Sequence, residues 1–256
     1  MSQAKPLIFI TNDDSISAKG IMSLFDAVKD LGDIVIIAPD SPQSGMGHAI
    51  TIDEPLRLKK SLLFEGIEAY SCSGTPVDCV KLGVYEVMHR KPDLLVSGIN
   101  HGTNAASNVL YSGTMSAAVE GAMEGIPSIG FSLNSFDADA NFSKAKLIVR
   151  KVVREVLKNK MPKDVCLNVN IPSADKQLNN EIKLCRQAHA YWEDSFDKRL
   201  DPSNKPYYWL TGDFKDVENA NDTDLYWLKK GWTTIVPTQY DMTAYKAINE
   251  LNNWNL

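Results

Sequence analysis

Asp13 and Asp14 stand side by side where the apolar run 7–10 breaks into the turn Thr11-Asn12-Asp13-Asp14-Ser15. Two adjacent carboxylates at such a point can hold a hard cation, whereas a helix N-cap accounts for one acid and leaves the other unexplained. Pro42-Gln43-Ser44-Gly45 and Asn100-His101-Gly102-Thr103-Asn104 follow two further apolar runs. Asp13, Asp14, Ser44 and Asn100 offer only oxygen donors if Asn100 presents its carbonyl, which is the ligand chemistry of magnesium or manganese. Taken singly, Ser44 and Asn100 read more simply as loop residues that close local turns.

A fourth segment supplies what a cation does not. Tyr111-Ser112-Gly113-Thr114 leads into Met115-Ser116-Ala117-Ala118-Val119-Glu120, a small-residue helix start. Free amides, the helix dipole and two hydroxyls at that point favour an anion such as a phosphate. Plain capping by Ser112 or Thr114 explains the same residues with equal weight when the segment is taken alone.

These loops need a scaffold that brings them to one edge. The runs 7–10, 34–38, 94–97 and 128–132 are short and continuously apolar, as strands buried on both faces of a parallel sheet are. Helical patterns at 16–31 and 142–160 alternate with them, the βα order of an α/β fold whose ligands bind beyond the carboxyl ends of the strands. If the first three strands are neighbours, the three polar segments meet. Residues 50–70 have hairpin-like patterning. Thr75-Pro76 with Asp78 opens a helix running to His89, and capping suffices to explain that motif. Residues 165–171 alternate as a strand. Beyond Ser173 the chain is richer in Asn, Asp and aromatics. Trp192, Phe196, Tyr207, Tyr208 and Trp209 crowd what reads as a long loop, used for packing, for contact with another chain or, as a weaker use, for base stacking. Asp222-Thr223-Asp224 caps a short helix ending at Gly231, before a strand at 232–237. The expected organisation is a core at 1–172 and a C-terminal extension at 173–256 with arm and hairpin elements, packed on the core and involved in oligomerisation.

The 256 residues suffice for a sizeable core, and a hydrophobic fraction of 44% with 23% charged residues is that of an ordinary globular protein. No apolar stretch approaches the about 20 residues that span a bilayer, and the start runs straight into a strand without a signal-peptide core, so a cytoplasmic location is expected. A net charge of −5 argues against a nucleic-acid polymer as partner. The four cysteines lack zinc-site spacing and are expected to be packed thiols.

Five blocks carry a resemblance: Thr-Asn-Asp-Asp at 11–14, Ala-Pro-Asp with Gln-Ser-Gly at 38–45, Ser-Gly-Thr-Pro-x-Asp-Cys-Val at 73–80, Ser-Gly-Ile-Asn-x-Gly-x-Asn at 97–104 and Tyr-Ser-Gly-Thr at 111–114. In order and spacing they resemble the SurE family of survival-protein nucleotidases over about half the chain. The C-terminal half resembles it more loosely, through residues 222–224, Gly231 and the strand ending at Pro237. The resemblance implies a Rossmann-like three-layer α/β core with a mostly parallel sheet. It also implies a C-terminal arm exchanged between subunits of a homodimer or homotetramer, and a metal-dependent phosphatase acting on nucleoside 5′- and 3′-monophosphates. Asp13, Asp14, Ser44 and Asn100 would then hold one Mg²⁺ or Mn²⁺ per subunit, and Asn104 with Ser112, Gly113 and Thr114 would face the phosphate. Asp14 is the candidate to orient or deprotonate the attacking water. His101, beside Asn100, is one guess for the proton donor to the leaving group, although it, His48, His89 and His189 read more simply as loop or packing residues.

Two positions depart from the family pattern: Ser15 stands where glycine usually follows the paired Asp, and a further glycine is usual near the position of Ala106, so the loop at 107–110 is open to reshaping. A non-glycine residue in a left-handed backbone costs on the order of 1 kcal/mol. Other readings compete. A nucleotide-binding sensor without turnover uses the same residues. An aspartyl-nucleophile phosphatase generally needs two acids separated by one residue. A dinucleotide oxidoreductase needs the glycine fingerprint that the first turn lacks.

Overall fold

Alternate residues of the apolar runs enter two different cores, which is why the runs carry no polar positions. Ile8, Ile10, Ile34, Ile36, Leu94 and Val96 pack on one side. Leu7, Phe9, Val35, Ile37 and Leu95 pack on the other. The computed structural model describes residues 5–173 and 182–255. Residues 1–4, expected to run directly into the first strand, and 174–181, at the start of the expected extension, lie outside the described residues.

In chain order the elements are β1 (Leu7–Thr11), α1 (Lys19–Val28), β2 (Asp33–Pro39), β3 (Leu58–Lys60), β4 (Glu68–Cys72), α2 (Pro76–Leu82), β5 (Leu94–His101), α3 (Gly113–Met123), β6 (Ser128–Asn134), α4 (Ser143–Lys158), β7 (Val165–Pro172), β8 (Ile182–Leu184), β9 (Ala190–Leu200), β10 (Pro206–Asp216), α5 (Asp224–Lys229), β11 (Thr233–Gln239) and α6 (Tyr245–Leu251). A π-helical turn, Gly83–Val87, follows α2, and a 3₁₀ turn, Ala106–Tyr111, precedes α3. Among the described residues one sheet has nine strands, ordered β3-β4-β2-β1-β5-β6-β7-β11-β8. Strands β4 to β7 in that order run parallel, and β3 and β11 join antiparallel. Helices α1 and α4 cover one face and α2 and α3 the other, giving three layers.

β1 lies between β2 and β5, with Ile10 opposite Ile36 and Thr11 opposite Ser97, so the loops after these three strands share one edge. The β5–β6 register shifts between Ser97 and Asn100. Gly98 permits this with φ +127°, where a Cβ would stand 2.3 Å from the Phe131 carbonyl oxygen. A bulge of this kind re-aims the residues after it, and here it re-aims Asn100.

The aromatic stretch after residue 190 is not a loop. β9 and β10 pair antiparallel along their full eleven residues each, and Trp192 packs on Phe214 at 5.3 Å between ring centroids. The hairpin stands clear of the main sheet, with Phe196, Tyr208, Trp209 and Leu210 each more than half exposed. No helix among the described residues is long and apolar enough to cross a membrane.

Candidate functional site

The turn after β1 turns Asp13 inward and leaves Asp14 half-buried. The Thr114 hydroxyl, at the start of α3, donates to Asp13 Oδ1. Gly113 closes against the same side chain: a Cβ there would meet Asp13 Cβ at 2.7 Å, Asp13 Oδ2 at 3.0 Å and Pro76 Cγ at 3.2 Å. The Gln43 amide donates to the Asp13 carbonyl at 2.7 Å, which seats the Ser44 loop beside the pair. The His101 amide reaches Asp14 Oδ2 at 3.4 Å. Segments remote in sequence therefore converge on the two carboxyls: the loop after β2, the end of β5 and the N-terminus of α3.

Asn100 donates its Nδ2 to the Gly102 carbonyl at 2.9 Å, leaving Oδ1 as the free side-chain atom. Ser44 is exposed on its loop. Ser112 is the N-cap of α3, its Oγ accepting from the Met115 amide at 3.0 Å, and its hydroxyl proton remains available. The Gly113 amide, in the first turn, has no partner within the helix. Asn104 sits deeper, 5% exposed, its Nδ2 donating to Ser132 Oγ at 2.7 Å and its backbone held by Asn168 and Asn170. The His101 ring packs edge-on against Phe142, with centroids 5.2 Å apart.

The electrostatics of the pair call for a cation. Burial, then the neighbouring Asp14 charge, pushes the Asp13 carboxyl up to about 6, against the pull of Thr114. Burial likewise raises Asp14, with His101 acting in the opposite direction. Neither carboxylate is paired with a lysine or arginine among the described residues. In the same turn Asn12 Oδ1 is buried with no hydrogen-bond partner, so the edge is rich in unshared oxygen. No three His, Cys, Asp or Glu side chains among the described residues converge as a metal cluster. The donor set is thus two carboxylates with neutral oxygens, which fits Mg²⁺ or Mn²⁺ retaining coordinated water and does not fit zinc.

The family model described as Survival protein SurE matches residues 8–194. The chain belongs to the SurE family. It is 54% identical over 254 residues to the 5′-nucleotidase SurE of Flavobacterium psychrophilum, covering 99% of both chains. To the 5′-nucleotidase SurE of Caldanaerobacter subterraneus it is 40% identical over 253 residues, covering 98% of both. The crystal structure of the SurE protein from Aquifex aeolicus matches with a TM-score of 0.83 at 36% identity, covering 96% of this chain and 98% of that one.

The two departures from the usual SurE pattern both fall on left-handed backbone, Ser15 at φ +94° and Ala106 at φ +52°. Ser15→Gly is expected to raise unfolding free energy by up to about 1 kcal/mol, strain relief being partly offset by the freer unfolded chain, whereas Ala106→Gly also loses a fully buried methyl and is expected to be near neutral. Urea unfolding measures this; a loss of stability in both variants would contradict it.

Sequence reasoning missed two residues that brace the loops of the candidate site. Asp78, read as a helix cap, is one: besides accepting from the Thr75 amide at 2.9 Å, it takes the Thr51 amide at 3.1 Å and hydroxyl at 2.6 Å. It thereby anchors the chain that leaves the Ser44 loop. Asp224 is another, fully buried and accepting the amides of Ala106, Ala188 and Leu225 at 2.8–2.9 Å. It ties the loop before α3 to the base of the hairpin, where Trp192 Nε1 also donates to Asn108 Oδ1 at 2.9 Å. A buried carboxylate inside a polar motif was the available signal for both, but only contacts distinguish anchoring from capping.

Proposed function

We propose that the protein is a metal-dependent phosphomonoesterase that hydrolyses nucleoside 5′-monophosphates, and 3′-monophosphates, to nucleoside and phosphate in the cytoplasm. The observation that carries the reading is the environment of Asp13: a buried carboxyl beside a second one, with no lysine or arginine paired to it among the described residues, where four chain segments meet. Membership of a family whose relatives bear the name 5′-nucleotidase supports the substrate class.

Asp13, Asp14, Ser44 and Asn100 are the proposed ligands of one Mg²⁺ or Mn²⁺ per subunit. When bound, such an ion neutralises charge on phosphoryl oxygens and acidifies water. Thr114 holds Asp13 in place through its hydroxyl and so serves the phosphate site from behind. The Ser112 hydroxyl and the Gly113 amide, at the positive end of α3, face the non-bridging oxygens and stabilise the charge that develops there. Asn104, fixed by Ser132, shapes the same wall. Asp14, less buried than Asp13 and also raised, is the proposed acceptor of the proton from the attacking water.

The proposed organisation keeps every ligand within 1–172 and assigns 173–256 to assembly. An isolated two-stranded hairpin is marginal in water, and the exposed aromatics of β9 and β10 favour an arm exchanged within a homodimer or homotetramer. Sedimentation equilibrium reads this directly; a monomer would remove it. The activity is tested by phosphate release from AMP, GMP and a synthetic aryl phosphate with Mn²⁺ or Mg²⁺, before and after chelation. Release that stops on chelation and returns with Mn²⁺ is expected. Tight AMP binding without release would instead indicate a sensor.

A further inference from the structure

Glu120 is used by nothing in the mechanism, yet it is a carboxylate with only 3% of its side chain exposed, in a helix otherwise made largely of small residues. Its two oxygens are both taken. His48 Nε2 donates to Oε2 at 2.9 Å, and Lys81 Nζ, from α2, donates to Oε1 at 2.5 Å. Burial raises the Glu120 carboxyl, but the hydrogen bonds from His48 and Lys81 outweigh it and hold the group below its ordinary value, so Glu120 is a carboxylate at neutral pH.

His48 lies on the loop that carries Ser44. That loop has other fastenings: Gln43 on the Asp13 carbonyl, the Gly47 amide on the Tyr111 carbonyl at 3.3 Å, and Thr75 Oγ1 on the Ala49 carbonyl at 2.8 Å. His48 fastens it by a side chain to a buried charge on α3, as Thr51, three residues on, fastens the departing chain to Asp78. Glu120 is seven residues after Gly113, two helical turns, and so on nearly the same face of α3. One helix face thus sets Asp13 at its first turn and the Ser44 loop two turns on.

Resting on the reading of Ser44 as a metal ligand, we propose that Glu120 is a positioning residue: through His48, with Lys81 bracing it, it holds the Ser44 loop against the metal edge. His48 is therefore more than a packing residue, although it does not touch the substrate. Groups outside the coordination sphere that orient ligands commonly change metal affinity 10–100-fold when removed.

The test uses the full-length protein and Mn²⁺ binding followed by electron paramagnetic resonance, alongside kinetics and hydrogen exchange. His48→Ala, a half-exposed surface change, is expected to weaken Mn²⁺ binding about tenfold, with kcat at saturating Mn²⁺ within about twofold of wild type. In the metal-free variant the amides of residues 44–48 are expected to exchange about tenfold faster. In a Ser44→Ala background the same change is expected to cost nothing further, because both act on one ligand. Glu120→Gln is expected to act in the same direction, and if it fails to fold, His48→Ala carries the test. Wild-type Mn²⁺ affinity in His48→Ala, or losses that add in the double variant, would overturn the proposal alone. Wild-type affinity in Ser44→Ala would overturn the ligand reading and the proposal with it.

Discussion

Asp13→Asn is expected to lower kcat/KM by about 10³-fold and, in the metal-free protein, to raise stability. The loss follows from removing one of the two charged ligands proposed for the metal. The gain follows from what that charge costs without a cation. Asp13 is buried, and its carboxyl is pushed from its ordinary 3.8 up to about 6 in the native state. Between these values the folded chain holds more protons than the unfolded one, so stability falls as pH rises. The stabilisation is complete below about pH 3.8 and is lost as pH passes about 6, leaving the ionised native state about 3 kcal/mol worse off. Asn carries no charge at any of these pH values and keeps Oδ1 for the Thr114 hydroxyl. Urea unfolding in chelator should therefore show the variant more stable by about 2–3 kcal/mol at pH 7–8, with the advantage shrinking toward pH 4. The same sign makes metal binding weaken as pH falls through about 6, since the proton competes for the ligand. A variant that folds and keeps its activity would contradict the metal role; one that is inactive but no more stable would contradict the buried-charge account.

Gly113→Ala tests the other side of Asp13. The added methyl would stand 2.7 Å from Asp13 Cβ and 3.2 Å from Pro76 Cγ, both too close, and the backbone of α3 is fixed by its own hydrogen bonds. The nearest atom is Asp13 Cβ, which only a shift of the turn after β1 can move, and that shift carries the carboxyl off the position set by Thr114. A misplacement of this order in a preorganised site is expected to lower kcat/KM by about 10²-fold. Overpacking is expected to lower stability by about 1–3 kcal/mol, leaving a folded protein. Circular dichroism with steady-state kinetics measures both. Wild-type activity in a folded variant would show that Gly113 does not press on the site.

What the sequence revealed and what it hid follow from the range of the interactions concerned. Leu7 to Ile10 and Ile34 to Ile37 announced a doubly covered parallel sheet because burial on both faces leaves no polar position in the run. The capping box at Thr75 and Asp78 announced α2 because it is written in four consecutive residues. The first helix begins at Lys19 rather than at residue 16: Ser15 takes a positive φ and accepts the Ala18 amide, so a turn comes first. The β9–β10 hairpin read as a loop because its aromatics are exposed on both faces and leave no alternation of polar and apolar residues.

At the candidate site, the position of Asp13, Asp14 and Asn100 at the ends of β1 and β5 was legible. That Thr114 would spend its hydroxyl on Asp13, 101 residues away, was not. Nor was the pairing of His48 with Glu120, 72 residues apart, since only the packing of the Ser44 loop on α3 brings them together.

Anomalous diffraction from crystals of the protein grown with Mn²⁺ tests the central claim most directly. One manganese per chain, contacting a carboxylate oxygen of Asp13 and Oδ1 of Asn100, is the expected result. Manganese bound at a different place, with Asp13 and Asn100 free of it, would contradict the account.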